Sequence, residues 1–155
     1  MKRFFANKAV KFVLLPLLVI FIGIQFISVE KTNPPVEYKP LWDSPKTEEY
    51  ARRACYDCHS NETKWPWYTN IAPVSMITSH HVIDGRKHLN FSEGDLGDVE
   101  DLLFEIEQGN MPLKPYLLLH PEANFTEQEM KEFIEGLKAT FKAEAEREAQ
   151  LSGTN

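Results

Sequence analysis

Cysteine is scarce in this chain, with two residues in 155. Both fall in one stretch, Cys55-Tyr56-Asp57-Cys58-His59. No second pair remains for a disulfide framework or a four-cysteine zinc site. Glycine is also sparse, at seven residues, and no strand-length alternation of polar and apolar residues is evident. Internal repeats are absent. Basic residues are few beyond the N-terminus. Of 17 Lys and Arg, four (Lys2, Arg3, Lys8 and Lys11) precede residue 30, which leaves 13 against 23 acids in the remainder. So acidic a body lacks the positive surface that phosphate backbones require, which excludes a nucleic-acid partner.

What is present begins with an apolar run from Phe12 to Ile24 that continues past Gln25 to Val29. Eighteen helical residues would span roughly 27 Å, close to a bilayer core. Residues 1–29 are therefore expected to form a single transmembrane anchor. Its basic start would face the cytoplasm, and the rest of the chain would lie exported on the outer, periplasmic face of a bacterial membrane. A cleaved signal peptide is the competing reading. Residues 30–45 carry Pro34, Pro35, Pro40 and Pro45 and read as a stiff linker.

Residues 46–141 read as one all-α domain of short helices. Ser44-Pro45 opens a helix expected to reach about Asp57. Pro73 starts a second, from Val74 to about Asp84, with Gly85 as its stop. Leu96, Val99, Leu103 and Ile106 mark a third, closed by Gly109, and a loop follows from Met111 to Asn124. Thr126-Glu127-Gln128-Glu129 is a capping-box start for the last helix, whose apolar stripe is Met130, Phe133, Ile134, Leu137 and Phe141. Residues 142–155 read as a charged, frayed tail. The thin core leaves room for a bulky apolar group.

The Cys-x-x-Cys-His motif supplies two thiols at adjacent helical positions and an imidazole beside them. Covalent haem attachment needs that set: two thiols for the two vinyl groups, and a proximal ligand for the iron. Cys55 and Cys58 are thus expected to hold one haem c and His59 to ligate its iron. A thioredoxin-like pair would need a βαβ setting that is missing here, and zinc would need His80 or His81 as a fourth ligand. For the sixth iron position the candidate is Met111, a thioether on a loop between Gly109 and Pro112; His81 or His80 is the alternative. Trp65, Trp67 and Tyr68 follow the motif closely and are candidates to wall the haem, and Arg86 to meet a propionate. The carbonyl of Pro66 or of Pro73 is a candidate to orient the His59 ring.

The stretch from Cys55 through Lys64-Trp65-Pro66-Trp67-Tyr68, then Ile71-Ala72-Pro73-Val74-Ser75, His81-Val82, Gly85-Arg86, Leu89-Asn90-Phe91-Ser92 and Met111-Pro112, resembles the small bacterial haem-binding domain family. The resemblance covers roughly residues 35–140. It departs at Met76, where that family's pattern leads one to expect Trp. It implies a cytochrome c-like fold around one covalent haem. The function expected is that of a membrane-tethered electron carrier serving a redox partner protein, rather than an enzyme. The alternative is a haem-based sensor, a small-ligand binder or a minor peroxidase-like enzyme with an open sixth position.

Overall fold

A computed structural model describes residues 10–153. Lys2, Arg3 and Lys8, and the last two residues of the tail, lie outside the described residues. Within them the chain is helical: α1 (Leu15–Ile24), α2 (Pro45–Ala54), α3 (Tyr56–His59), α4 (Val74–His88), α5 (Val99–Glu107), α6 (Lys114–Leu119) and α7 (Glu127–Ser152). Short 3-10 turns lie at Trp67–Asn70 and Pro121–Ala123. One isolated bridge, Asn90 to Asp95, is the sole β feature among the described residues. The chain divides into two compact units, Met1–Lys31 with Trp65–His81, and Thr32–Lys64 with Val82–Asn155.

The first unit corrects the expectation of a membrane anchor. A π turn, Val10–Leu14, precedes α1, which is ten residues long. Ten residues reach about 15 Å, half of a bilayer's hydrocarbon core. The helix stops where Gln25 turns its carboxamide to the chain: Nε2 donates to the Ala72 carbonyl at 3.1 Å, and Oε1 accepts from the Ala72 N–H at 3.0 Å. Beyond it no helix forms until Pro45. Among the described residues no helix is long and apolar enough to cross a membrane. The single transmembrane helix and the membrane-anchored, exported location that rested on it are therefore not supported.

The second unit holds the core. Ser44 caps α2, its Oγ accepting from the Thr47 N–H at 3.2 Å, and Pro45 fits the first turn, where no N–H is needed. α2 ends at Ala54, earlier than the expected Asp57, because Cys55 leaves helical geometry at φ −120°. The chain then re-enters one further turn as α3. Tyr50, Ala51, Tyr56, Leu89, Phe91, Ile106, Phe133 and Leu137 form the buried cluster. Tyr56 stacks on Phe91 with centroids 5.3 Å apart, and Phe125 on Phe133 at 5.2 Å. α2 lies close against α7 at Gly136, where any Cβ would run into the Thr47 side chain. The capping box of Thr126 and Glu129 opens α7 as its sequence implies.

Three further stretches differ from the sequence-based reading. α6 occupies part of the expected 111–124 loop. α7 continues through 142–152, where a frayed tail was expected, because Glu144 is buried and accepts hydrogen bonds from the Leu41 N–H and the Tyr38 hydroxyl, both at 2.5 Å. The same bonds tie down part of the proline-rich 30–45 stretch, as do the Glu37 and Tyr38 N–H groups, which donate to the Ser92 carbonyl.

Candidate functional site

The site begins with the single turn of α3. The Cys55 carbonyl accepts from the N–H groups of Cys58, at 3.1 Å, and of His59, at 2.8 Å, which winds the motif tightly. The His59 ring is fixed by backbone. Its Nδ1 lies 2.9 Å from the Gly85 carbonyl oxygen and 3.2 Å from that of Leu89. Two acceptors at Nδ1 require the proton there, which leaves Nε2 as the nitrogen with a lone pair for a metal. Burial holds the imidazole below its ordinary value, with the two carbonyls acting in the opposite sense, so the ring is neutral in neutral solution. The orienting carbonyls thus come from Gly85 and Leu89 rather than from Pro66 or Pro73.

Gly85 explains how α4 comes so near. The sequence reading placed a helix stop there, but α4 runs on to His88. A Cβ at Gly85 would sit 2.7 Å from the Cys58 carbonyl oxygen and 3.2 Å from the Cys58 Cβ. The absent side chain lets the α4 backbone touch the motif and deliver its carbonyls to His59.

His59 opens into an apolar pocket lined by Ala54, Cys55, Leu89, Leu102, Ile106, Met111, Pro112, Phe125, Met130 and Phe133. Every lining residue belongs to the second unit. Apart from the imidazole and the two thioethers the lining is hydrocarbon, aromatic or thiol, the chemistry that receives a flat apolar macrocycle. Met111 reaches it through the end of α5. Gly109 takes φ +68°, and the N–H groups of Asn110 and Met111 both return to the Glu105 carbonyl, at 2.9 and 3.2 Å. That left-handed closure turns the chain back toward the pocket. The pocket therefore carries an imidazole and two thioethers, Met111 and Met130, on its lining, donor types that suit a haem iron. The residues present fit the group.

Burial pushes the Cys55 thiol up to about 12 and the Cys58 thiol up to about 11; the Cys58 charge adds to the first and Asp57 to the second. Thiols raised in this way are the reverse of a reactive redox pair. Among the described residues no group of three or more His, Cys, Asp or Glu side chains gathers to hold a metal ion.

The remaining sequence candidates sit within their own units. Trp67 is three-quarters exposed and meets Tyr68 edge-on at 6.0 Å; Trp65 is half-buried; all three belong to the first unit. His80 is exposed and His81 half-buried, with ring centroids 6.3 Å apart. Arg86 donates to two carbonyls and two side chains: Nε to the Ser60 carbonyl at 2.8 Å, Nη1 to the Thr32 carbonyl at 2.9 Å, and Nη2 to Thr63 Oγ1 at 2.9 Å and Asn33 Oδ1 at 3.1 Å. Met130 was missed as a pocket residue. It stands in the apolar stripe of α7, and a stripe does not distinguish a residue facing a cofactor from one facing a helix.

A family model described as a haem-binding domain matches residues 19–139. Comparison with curated proteins and with solved structures gives no match.

Proposed function

This chain belongs to the haem-binding domain family, and from that premise we propose that it is a monohaem c-type electron carrier. In this reading Cys55 and Cys58 hold the haem through thioether bonds, His59 ligates the iron through Nε2, and Met111 takes the sixth position. The observation that carries it is the shared pocket, with a backbone-anchored imidazole and the Met111 thioether on one apolar lining. Bound there, the haem would supply a one-electron couple. The chain supplies the rest. The Gly85 and Leu89 carbonyls hold the His59 ring in one tautomer. The Phe125, Phe133, Leu102 and Ile106 side chains keep water from the iron and limit reorganisation as charge changes. A filled Met/His set raises the potential of such a couple, which suits transfer to a redox partner protein more than catalysis.

Protein made in a host that attaches haem to Cys-x-x-Cys-His motifs tests this. An alkaline pyridine spectrum is expected to show one c-type haem, and haem stain is expected to survive a denaturing gel and be lost in a Cys55→Ser, Cys58→Ser double variant. The weak far-red band of methionine-ligated ferric haem is expected in the wild type and lost in Met111→Ala. Its persistence in Met111→Ala with loss in Met130→Ala would move the ligand to α7. Absence of the band, with rapid and tight binding of carbon monoxide, would instead favour a sensor, a small-ligand binder or a peroxidase-like role.

A further inference from the structure

The proposed ligand Met111 sits on a segment that needs holding against the pocket. Backbone hydrogen bonds from Asn110 and Met111 close the end of α5, but they lie upstream of Pro112. Downstream is α6, a six-residue helix whose three consecutive leucines include the exposed Leu118 and Leu119. So short a helix is marginal without tertiary support.

Tyr116 supplies that support from the middle of α6. Its hydroxyl donates to Asp57 Oδ2 at 2.9 Å. Asp57 lies inside the haem-attachment motif, and its other oxygen accepts from the Lys64 N–H at 3.0 Å. The carboxylate is thus held in place by backbone and offers its second oxygen to one phenol. On its far side the Tyr116 ring stacks on His120, with centroids 4.0 Å apart and planes 11° from parallel. The phenol is half-buried, and its bond to Asp57 is charge-assisted.

We propose that the Asp57–Tyr116 hydrogen bond is a positioning clasp that joins the thioether-bearing segment to the motif that carries the proximal histidine, and so sets how readily the sixth ligand leaves the iron. The clasp rests on the ligation by Met111 proposed above. Tyr116 is a positioning residue: it acts on the iron through Met111. Releasing it frees one end of the ligand loop and leaves the pocket lining unchanged.

The test uses the oxidised full-chain holoprotein, with imidazole as a competitor for the sixth position. Tyr116→Phe is expected to bind imidazole about tenfold more tightly than wild type, the scale set by one charge-assisted hydrogen bond. Asp57→Asn keeps an acceptor oxygen and is expected to fall between the two; it also reads the same bond independently should Tyr116→Phe fail to fold. In a Met111→Ala background, with no thioether left to displace, Tyr116→Phe is expected to add nothing. Unchanged imidazole affinity in Tyr116→Phe, where Met111→Ala does change it, would overturn the clasp while leaving the ligand assignment standing. A Tyr116→Phe effect that persists undiminished in Met111→Ala would also overturn it, since the bond would then act on the pocket at large. If Met111→Ala itself changes neither the far-red band nor imidazole affinity, the ligand assignment falls and the clasp falls with it.

Discussion

The smallest group that decides the site is a missing one. At Gly85 a hydrogen stands where any other residue would press a carbon 2.7 Å from the Cys58 carbonyl oxygen, and that atom is backbone with little freedom to give. Gly85→Ala is therefore expected to push α4 away from α3, lengthen the His59 Nδ1 bond to the Gly85 carbonyl and lower stability by about 1–3 kcal/mol, the range for overpacking a tight contact. Denaturant midpoints of the apoprotein would give the stability change. Electron paramagnetic resonance of the ferric holoprotein would give the change in axial field. An unaltered axial field would show that the close approach does not orient the ring. A glycine next to an arginine inside a helical pattern carries no mark of this role, which is why the sequence reads it as a terminator.

Among the elements, the junction of α2 with α7 is held by packing at Gly136 and by charge at its edge. Glu132 on α7 accepts from Lys46 and from the Tyr50 hydroxyl, both on α2, and from Gln128 on its own helix. These bonds, with that from Lys46 the largest, hold its carboxyl down to about 2, below the ordinary value of 4.5. A carboxyl depressed in the folded state contributes stability that is present in full above its unfolded value and is lost as pH falls through the folded one. The stability difference between wild type and Glu132→Gln is thus expected to be constant above about pH 5, to shrink below 4.5 and to close near 2. Chemical denaturation at stepped pH measures it, and a difference that does not vary with pH would assign the effect to packing. Helix starts were largely legible from sequence because capping is local: Ser44 with Pro45 and Thr126 with Glu129 each satisfy N–H groups within three residues. Helix ends and lengths were not. α1 stops at a glutamine whose partner, Ala72, is 47 residues away, and α7 continues because Glu144 meets Leu41, 103 residues away. The motif residues Cys55, Cys58 and His59 and the candidate Met111 could be named from spacing. The carbonyls that orient His59 could not, since any backbone can offer one.

At the scale of the second unit, Glu144 joins the two ends of the chain's path. It is 3% exposed, and it receives the Leu41 N–H, the Tyr38 hydroxyl and an ion pair from Arg147 at 2.6 Å. Glu144→Ala would leave the Leu41 amide and the half-buried Tyr38 phenol without their acceptor and Arg147 without its partner, and is expected to cost about 1–3 kcal/mol. Thermal unfolding followed by far-ultraviolet dichroism reads this directly, and a loss below about 0.5 kcal/mol would place the contact among surface ion pairs.

The long closure made by α7 has a consequence in time. A ribosome delivers the residues of this pocket in order, at about 5–20 residues per second, with Cys55 to His59 first, Met111 later, and Met130 and Phe133 near the end. Until α7 emerges, one wall of the pocket has not yet been made, and Cys55 and His59 stand open on that side. The last helix therefore works as a clock as well as a wall. Its arrival completes the lining around Cys55 and His59, and any change that hastens α7 docking shortens the interval in which that lining is incomplete.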